Sequence, residues 1–276
     1  LTGAENPGCV ATTNYSVQFD ENQTSFTITK RLLTVASWTL DGGANMNVTY
    51  DGTQHRVEAT PGRVVSGYPV TFTYEGDTTA TDFGSYTAVI KGCSPSANYR
   101  IARSGEAGYA DLTKNWNISK RMLTVSFSTA NNLVFNNNAQ GISITLGNLI
   151  ADDTVTVNYS LSGYYYTTNG AVSGNAYSTV SGTIVTVDKA TTFTQNITRT
   201  NAGSYTATLT SLSSTSANYQ LPASGLSGSF AIAQKTIGFT WDYSGVPFTY
   251  DKTAKAVVAT PTGLVDSTVL TLTYQT

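Results

Sequence analysis

A short alternating segment recurs three times and constrains what this chain can fold into more than any other feature. Its copies run 26–35, 116–125 and, more loosely, 230–239. Apolar residues hold matching places in each: Phe26, Ile28, Leu33 and Val35; Trp116, Ile118, Leu123 and Val125; Phe230, Ile232, Ile237 and Phe239. Polar residues fill the intervals, with Lys30 and Arg31, Lys120 and Arg121, and Gln234 and Lys235 at the centre. Such alternation makes a strand with one apolar and one polar face. No Gly, Pro or Ser cluster separates the halves, so no flexible linker is present. The segment reads as the last strand of one domain passing directly into the first strand of the next.

Other landmarks keep step with this joint. Val48, Thr49, Tyr50 and Asp51, followed by Ala59, Thr60 and Pro61, return as Phe248, Thr249, Tyr250 and Asp251, followed by Ala259, Thr260 and Pro261. A weaker copy begins at Val134 and Phe135 and carries Asn136, Asn137 and Asn138. The interval from Tyr50 to Tyr74 equals those from Phe135 to Tyr159 and from Tyr250 to Tyr274. Gly84 to Ala88 match Gly203 to Ala207, and the pairs Asn98–Tyr99 and Asn218–Tyr219 match Asn14–Tyr15. Fixed-period self-similarity of this kind marks a repeat architecture. The register gives the end of one repeat at 1–31, complete repeats at 32–121 and 122–235, and the first half of another at 236–276. The second complete repeat carries an insert at about 160–195, which extends a hairpin and holds Tyr164, Tyr165 and Tyr166.

Short alternating segments between Gly, Asn, Asp and Pro predict antiparallel two-sheet sandwiches. Thr and Ser make up roughly a quarter of the chain, which favours strands with polar, uncharged surfaces. No stretch holds an apolar period of helical spacing, so the expected class is all-β. Charged residues are only 12% and the net charge is −2, which gives no electrostatic reason to expect nucleic acid as a partner. No apolar run is long enough to span a membrane.

These landmarks resemble the MBG-type and related YDG-type bacterial Ig-like repeats. The resembling residues are Phe248 to Asp251 with Ala259 to Pro261, Ala202 to Ala207, the Asn-Tyr pairs at 98–99 and 218–219, and the closing Ile28 to Arg31. The resemblance covers nearly the whole chain. It implies tandem Ig-like sandwiches in a rod-like array, an extracellular bacterial cell-surface setting often adhesive in character, and no catalytic residues.

Candidate chemistry is sparse. His55 is the only histidine, and it takes the place of Lys255 in a polar turn. A catalytic triad or a histidine metal cluster would have to use it, and a solvated turn residue is the expectation. Asp152–Asp153 and the pair Glu75 and Asp77 lie in predicted turns; a structural calcium ion would need more converging oxygens than one such pair supplies. No other cofactor is expected. Cys9 and Cys93 hold equivalent places in consecutive repeats, each ahead of an Asn-Tyr pair. In a rod they would lie roughly 30–40 Å apart, given strands of ~10 residues at ~3.3 Å each, whereas a disulfide needs Cα atoms within about 7 Å. They are therefore free thiols on turns or partners in an intermolecular disulfide. Lys30, Lys120 and Lys235 are expected to cap strands and reach water. Six Asn-X-Ser/Thr sequons, at Asn14, Asn22, Asn47, Asn117, Asn158 and Asn196, are no more than the composition yields, so they say little about glycosylation. Tyr164, Tyr165 and Tyr166 are candidate ligand contacts, or else they pack on alternate faces of the hairpin.

Three functions follow from this reading. The first is a stalk segment of an extracellular surface or adhesin protein. The second is a filament or sheath subunit assembled head-to-tail, copies of the chain completing one another's terminal half-repeats. The third is a binding module for a host or cell-surface glycan or protein, using the insert of the second repeat. An enzyme is not expected, for want of candidate groups.

Overall fold

A computed structural model describes residues 27–166, 180–186 and 191–265. Among them the chain is all-β, with two single 3-10 turns at Ala110–Leu112 and Ser214–Ser216 and no α-helix. The first repeat supplies β1 (Arg31–Leu32), β2 (Thr34–Leu40), β3 (Asn47–Thr49), β4 (His55–Gly62), β5 (Thr71–Gly76), β6 (Thr79–Ala80), β7 (Gly84–Ser94), β8 (Tyr99–Arg100) and β9 (Thr113–Ser119). The second supplies β10 (Arg121–Met122), β11 (Thr124–Thr129), β12 (Gln140–Gly147), β13 (Thr156–Tyr165), β14 (Val180–Val185), β15 (Thr192–Arg199), β16 (Gly203–Leu212), β17 (Tyr219–Gln220) and β18 (Ser227–Ile232). A last hairpin pairs β19 (Gly238–Asp242) with β20 (Val258–Thr262).

Each repeat has a three-stranded and a four-stranded sheet. Their orders are β2-β4-β6 and β3-β9-β7-β5 in the first, and β11-β12-β15 and β14-β13-β16-β18 in the second. This arrangement is sandwich-like. The insert adds β14 as an extra edge strand, in register with β13 from Thr156↔Val185 to Leu161↔Val180. The rest of the insert, at 167–179 and 187–190, lies outside the described residues. The parallel pairing of β3 with β9, from Asn47↔Asn117 to Thr49↔Ser119, shrinks in the second repeat to a single parallel bridge, Val134↔Ala233.

Two compact units divide the chain. Among the described residues one holds 27–44, 57–78 and 86–115, and the other holds the remainder. In the first unit, Leu33, Phe72, Ile90, Cys93 and Tyr99 form the core. Trp38 packs on Tyr74, ring centroids 6.1 Å apart. The Tyr74 hydroxyl accepts from Ala59 N at 2.8 Å and donates to Ala59 O at 3.3 Å, so it satisfies both backbone groups of a β4 residue. Leu40 to Gly43 close a tight turn in which Asp41 and Gly42 both have positive φ, the conformation an Asp-Gly hairpin turn requires.

In the second unit the inward positions of β12, β13, β15 and β16 are Ile144, Leu146, Val157, Leu161, Ile197 and Leu209, each at most 4% exposed. The two sheets meet at Gly228 of β18: a Cβ there would lie 2.5 Å from the Phe127 ring and 2.7 Å from Ile142 Cδ1. Glycine is what lets a large ring on one sheet approach the backbone of the other. Leu209→Ala should therefore cost about 2–5 kcal/mol, a lost side chain plus an unfilled cavity, and Gly228→Val at least as much as a typical overpacking change of about 1–3 kcal/mol. Denaturant unfolding of the full chain checks both; a Gly228→Val protein as stable as the parent would mean the sheets do not meet there.

Candidate functional site

The repeated landmarks converge in the second unit, around the joint at Arg121. β9 ends at Ser119, β10 begins at Arg121 and β11 at Thr124. Trp116, Ile118 and Leu123 are buried to 1% exposure or less, so the chain is anchored on both sides of the joint. β10 pairs in parallel with β17, Arg121 opposite Tyr219. Arg121 N donates to Asn218 O at 2.8 Å and Leu123 N to Gln220 O at 2.9 Å. The same ladder recurs in the first unit, where β1 pairs with β8, Arg31 stands opposite Tyr99 and Arg31 N donates to Asn98 O at 2.8 Å. The Asn-Tyr landmark is thus the partner of the basic centre of the joint.

Asp153 sits at the middle of this arrangement. Its Oδ2 accepts from Tyr50 OH at 2.8 Å and from Tyr219 OH at 2.6 Å. The two rings meet edge to face, centroids 5.6 Å apart, and both tyrosines are at most 4% exposed. Tyr219 OH also accepts from Ile150 N at 3.0 Å. Burial, reinforced by the Asp153 carboxylate, pushes the Tyr50 phenol up to about 12 and the Tyr219 phenol upward as well. Both phenols therefore stay protonated at neutral pH and act as donors, and a charged acceptor makes these among the stronger hydrogen bonds.

Arg121 closes the other side. Its Nε donates to Asn148 O at 2.8 Å, its Nη2 to Asn148 Oδ1 at 2.7 Å and its Nη1 to Tyr50 O at 3.3 Å. Asn148 Nδ2 donates to Met122 O at 2.7 Å. Asn148 has φ 62, a conformation asparagine tolerates better than most residues. Asn218 Nδ2 donates to Asp82 Oδ1 at 2.9 Å while its Oδ1 accepts from Phe83 N at 2.7 Å. Lys120 Nζ lies 4.7 Å from the centre of the Phe83 ring, a cation–π contact. The arrangement has no nucleophile–base pair. Its chemistry is that of a polar lock.

The turn after Tyr50 is built three times. Asp51 Oδ1 accepts from Thr53 N at 2.8 Å, Asn136 Oδ1 from Asn138 N at 2.9 Å, and Asp251 Oδ1 from Thr253 N at 2.9 Å. The residue four places on also reaches back: His55 Nε2 lies 3.3 Å from Asp51 Oδ1, Gln140 Nε2 donates to Asn136 Oδ1 at 3.0 Å, and Lys255 pairs with Asp251. Asp251 is held at about 2 by Lys255 and Thr253. Tyr250, the counterpart of Tyr50, is 86% exposed. Phe135 lacks the hydroxyl that Tyr50 gives to Asp153.

Other candidate residues fall elsewhere. His55 is not a solvated turn residue: it opens β4, alternates inward with Val57 and is 5% exposed. Cys93 lies on β7 within the core rather than on a turn, and burial pushes its thiol up; Cys9 is outside the described residues. Glu75 pairs with Lys91 at 2.6 Å. Among the described residues no group of three or more His, Cys, Asp or Glu side chains could hold a metal ion. Lys30 and Lys235 take no part in the Arg121 joint. Tyr164 and Tyr166 meet edge to face, centroids 6.1 Å apart, and Tyr165 lines a cleft of the second repeat with Arg199, so the three do not form one surface. Asn47, Asn117, Asn158 and Asn196 lie within strands, and their side chains are engaged: Asn47 Oδ1 accepts from Asn117 Nδ2 and Ser119 Oγ, both at 2.6 Å. Sequence reasoning missed Asp153 as the shared acceptor, whose partners are distant along the chain.

The chain matches no protein-family model, no curated protein and no solved structure.

Gly52 tests the fit of the lock. It has φ +79, and a Cβ there would lie 2.8 Å from Ile150 Cγ2, whereas Gly67, at φ +82, faces open space. Both changes to Ala strain the backbone by about 1–3 kcal/mol, and Gly52→Ala adds the clash with Ile150. Denaturant unfolding should therefore show Gly52→Ala to be the more costly, and equal costs would remove Ile150 from the joint.

Proposed function

We propose that this chain is a non-catalytic structural segment, built of tandem Ig-like sandwiches of the MBG/YDG kind, that gives reach and stiffness to a long extracellular bacterial surface protein of adhesin type. The observation that carries this reading is the joint at Arg121. Strand passes to strand with only Lys120 between β9 and β10 and only Leu123 between β10 and β11. Around it Asp153 accepts from Tyr50 and Tyr219, and Arg121 donates to Asn148 and to the Tyr50 carbonyl, so strand and turn residues on either side are linked. A flexible tether between independently acting modules would need none of this. The threefold recurrence of the Asp51-type turn supports a modular design in which one device is reused at successive joints. The Ser/Thr-rich, weakly charged surface suits a spacer that meets solvent and little else. Its partners in this reading are neighbouring repeats of its own kind at the cell surface.

Lengthening the joint separates stiffness from folding. Four Gly/Ser residues inserted between Arg121 and Met122 should leave the far-UV circular dichroism of a β protein intact while shortening the maximum dimension seen by small-angle X-ray scattering. An unchanged dimension would mean that the joint is not the source of extension.

A further inference from the structure

The second repeat holds a cleft that the stalk role does not use. It opens where β13 and β16 of the four-stranded sheet end against the last residue of β15, has a volume of about 370 Å³, and is lined by Ser162, Gly163, Tyr165, Arg199, Asn201 and Tyr205 among others. That volume falls within the range of small-ligand sites. The space exists for a sequence reason. Leu161, Gly163 and Tyr165 share one face of β13 by strand alternation, and Gly163 stands opposite Tyr205, Tyr165 opposite Gly203. A Cβ at Gly163 or Gly203 would lie 2.2 Å from a backbone oxygen of the other strand. The strands are pressed together at two residues that carry no side chain, and nothing from β13 or β16 fills the volume above them.

The walls are chemically specific. Tyr205 is fixed, stacked on Phe230 with centroids 5.1 Å apart and donating its hydroxyl to Asn201 O at 2.8 Å. Tyr165 offers a half-buried ring, and Asn201 lines the same wall. Arg199 brings the charge. Arg100, by contrast, pairs with Glu106 at 2.6 Å, and Arg121 is held by the neutral Asn148 side chain and the backbone carbonyls of Asn148 and Tyr50. Arg199 is half-buried, donates from Nη1 to Thr198 O at 3.1 Å, and has no ion pair with a carboxylate among the described residues. A half-buried guanidinium with no counter-charge among the described residues favours an anion, and its planar fork fits a carboxylate.

We infer that this cleft binds a carboxylate-bearing sugar, a uronic-acid unit of a polysaccharide, with Arg199 on the carboxylate, the Tyr165 ring against the pyranose face, and polar groups of the wall at Asn201 on the hydroxyls. Aromatic faces with a few convergent polar groups are the usual make-up of such a site. The site makes the second repeat a point of attachment along the chain, independent of whether the joints are stiff.

Titration of the full chain with D-glucuronate and with D-glucose, followed by isothermal calorimetry and by NMR shifts of the Ser162 and Asn201 amides, tests it. Saturable glucuronate binding in the millimolar range is expected, with glucose at least about tenfold weaker. Arg199→Ala should weaken glucuronate by about tenfold or more, Arg199→Lys should restore part of the loss, and Tyr165→Ser should weaken both sugars, each variant keeping the parent circular dichroism. Should Arg199→Ala not fold, the Arg199→Lys and Tyr165→Ser proteins and the amide shifts carry the test. No saturable glucuronate binding, equal binding of glucose, or shifts remote from the cleft would each overturn the assignment.

Discussion

A single carboxylate oxygen that accepts two buried phenols is the contact on which the rest of the Arg121 joint depends. Asp153 Oδ2 meets Tyr50 OH and Tyr219 OH at 2.8 and 2.6 Å. Tyr50 comes from the turn that follows β3, and Tyr219 from the strand that pairs with β10. Asp153 is half-buried, and the two phenols satisfy its Oδ2, so part of the cost of drawing the carboxylate from water is offset. The guanidinium of Arg121 then ties Asn148 and the Tyr50 carbonyl to the same place. Loss of the carboxylate would leave two buried hydroxyls without an acceptor, which costs more than the bonds themselves.

The surrounding sandwich makes such a joint possible. Parallel pairing of β3 with β9 brings Tyr50 to the end of β9, where its N donates to Ser119 O at 2.9 Å. The Asp51 turn then fixes the direction of the chain beyond it. In the second repeat the corresponding Phe135 N donates to Ala233 O at the same distance, so the frame is conserved between repeats within the chain even where the phenol is not. The first repeat shows the converse. Tyr99 OH accepts from Val65 N as Tyr219 OH does from Ile150 N, but Tyr68 stands where the second repeat has Asp153, and Arg63, with φ 60, where it has Asn148. The backbone device is shared, while the side chains that lock it are particular to each joint.

Much of this was legible in the sequence. Alternation at Trp116 and Ile118, and again at Leu123 and Val125, announced a strand on each side of Arg121. The matching of Asn136 to Asp51 was legible as well, since either side chain can accept from the backbone two residues on. His55 was misread. Its place in a polar run suggested solvent, but it belongs to β4, whose register with β2 and β6 turns every second residue inward. Cys93 misled for the same reason. The role of Asp153 could not be read from local pattern, since its partners lie 103 and 66 residues away along the chain and an Asp-Asp pair in a turn has an ordinary local explanation. The cleft at Arg199 was equally hidden. It arises from Gly163 and Gly203 facing across two strands, a coincidence of register that no single segment reveals.

A double-mutant cycle between Tyr50→Phe and Asp153→Ala, read by denaturant unfolding of the full chain, addresses the lock most directly. Groups that bond to one another in a buried site couple by about 0.5–3 kcal/mol, whereas independent sites add to within about 0.3–0.5 kcal/mol. A coupling of about 1 kcal/mol or more is the result expected if the Asp153 carboxylate holds Tyr50 across the joint. Simple additivity of the two changes would contradict it.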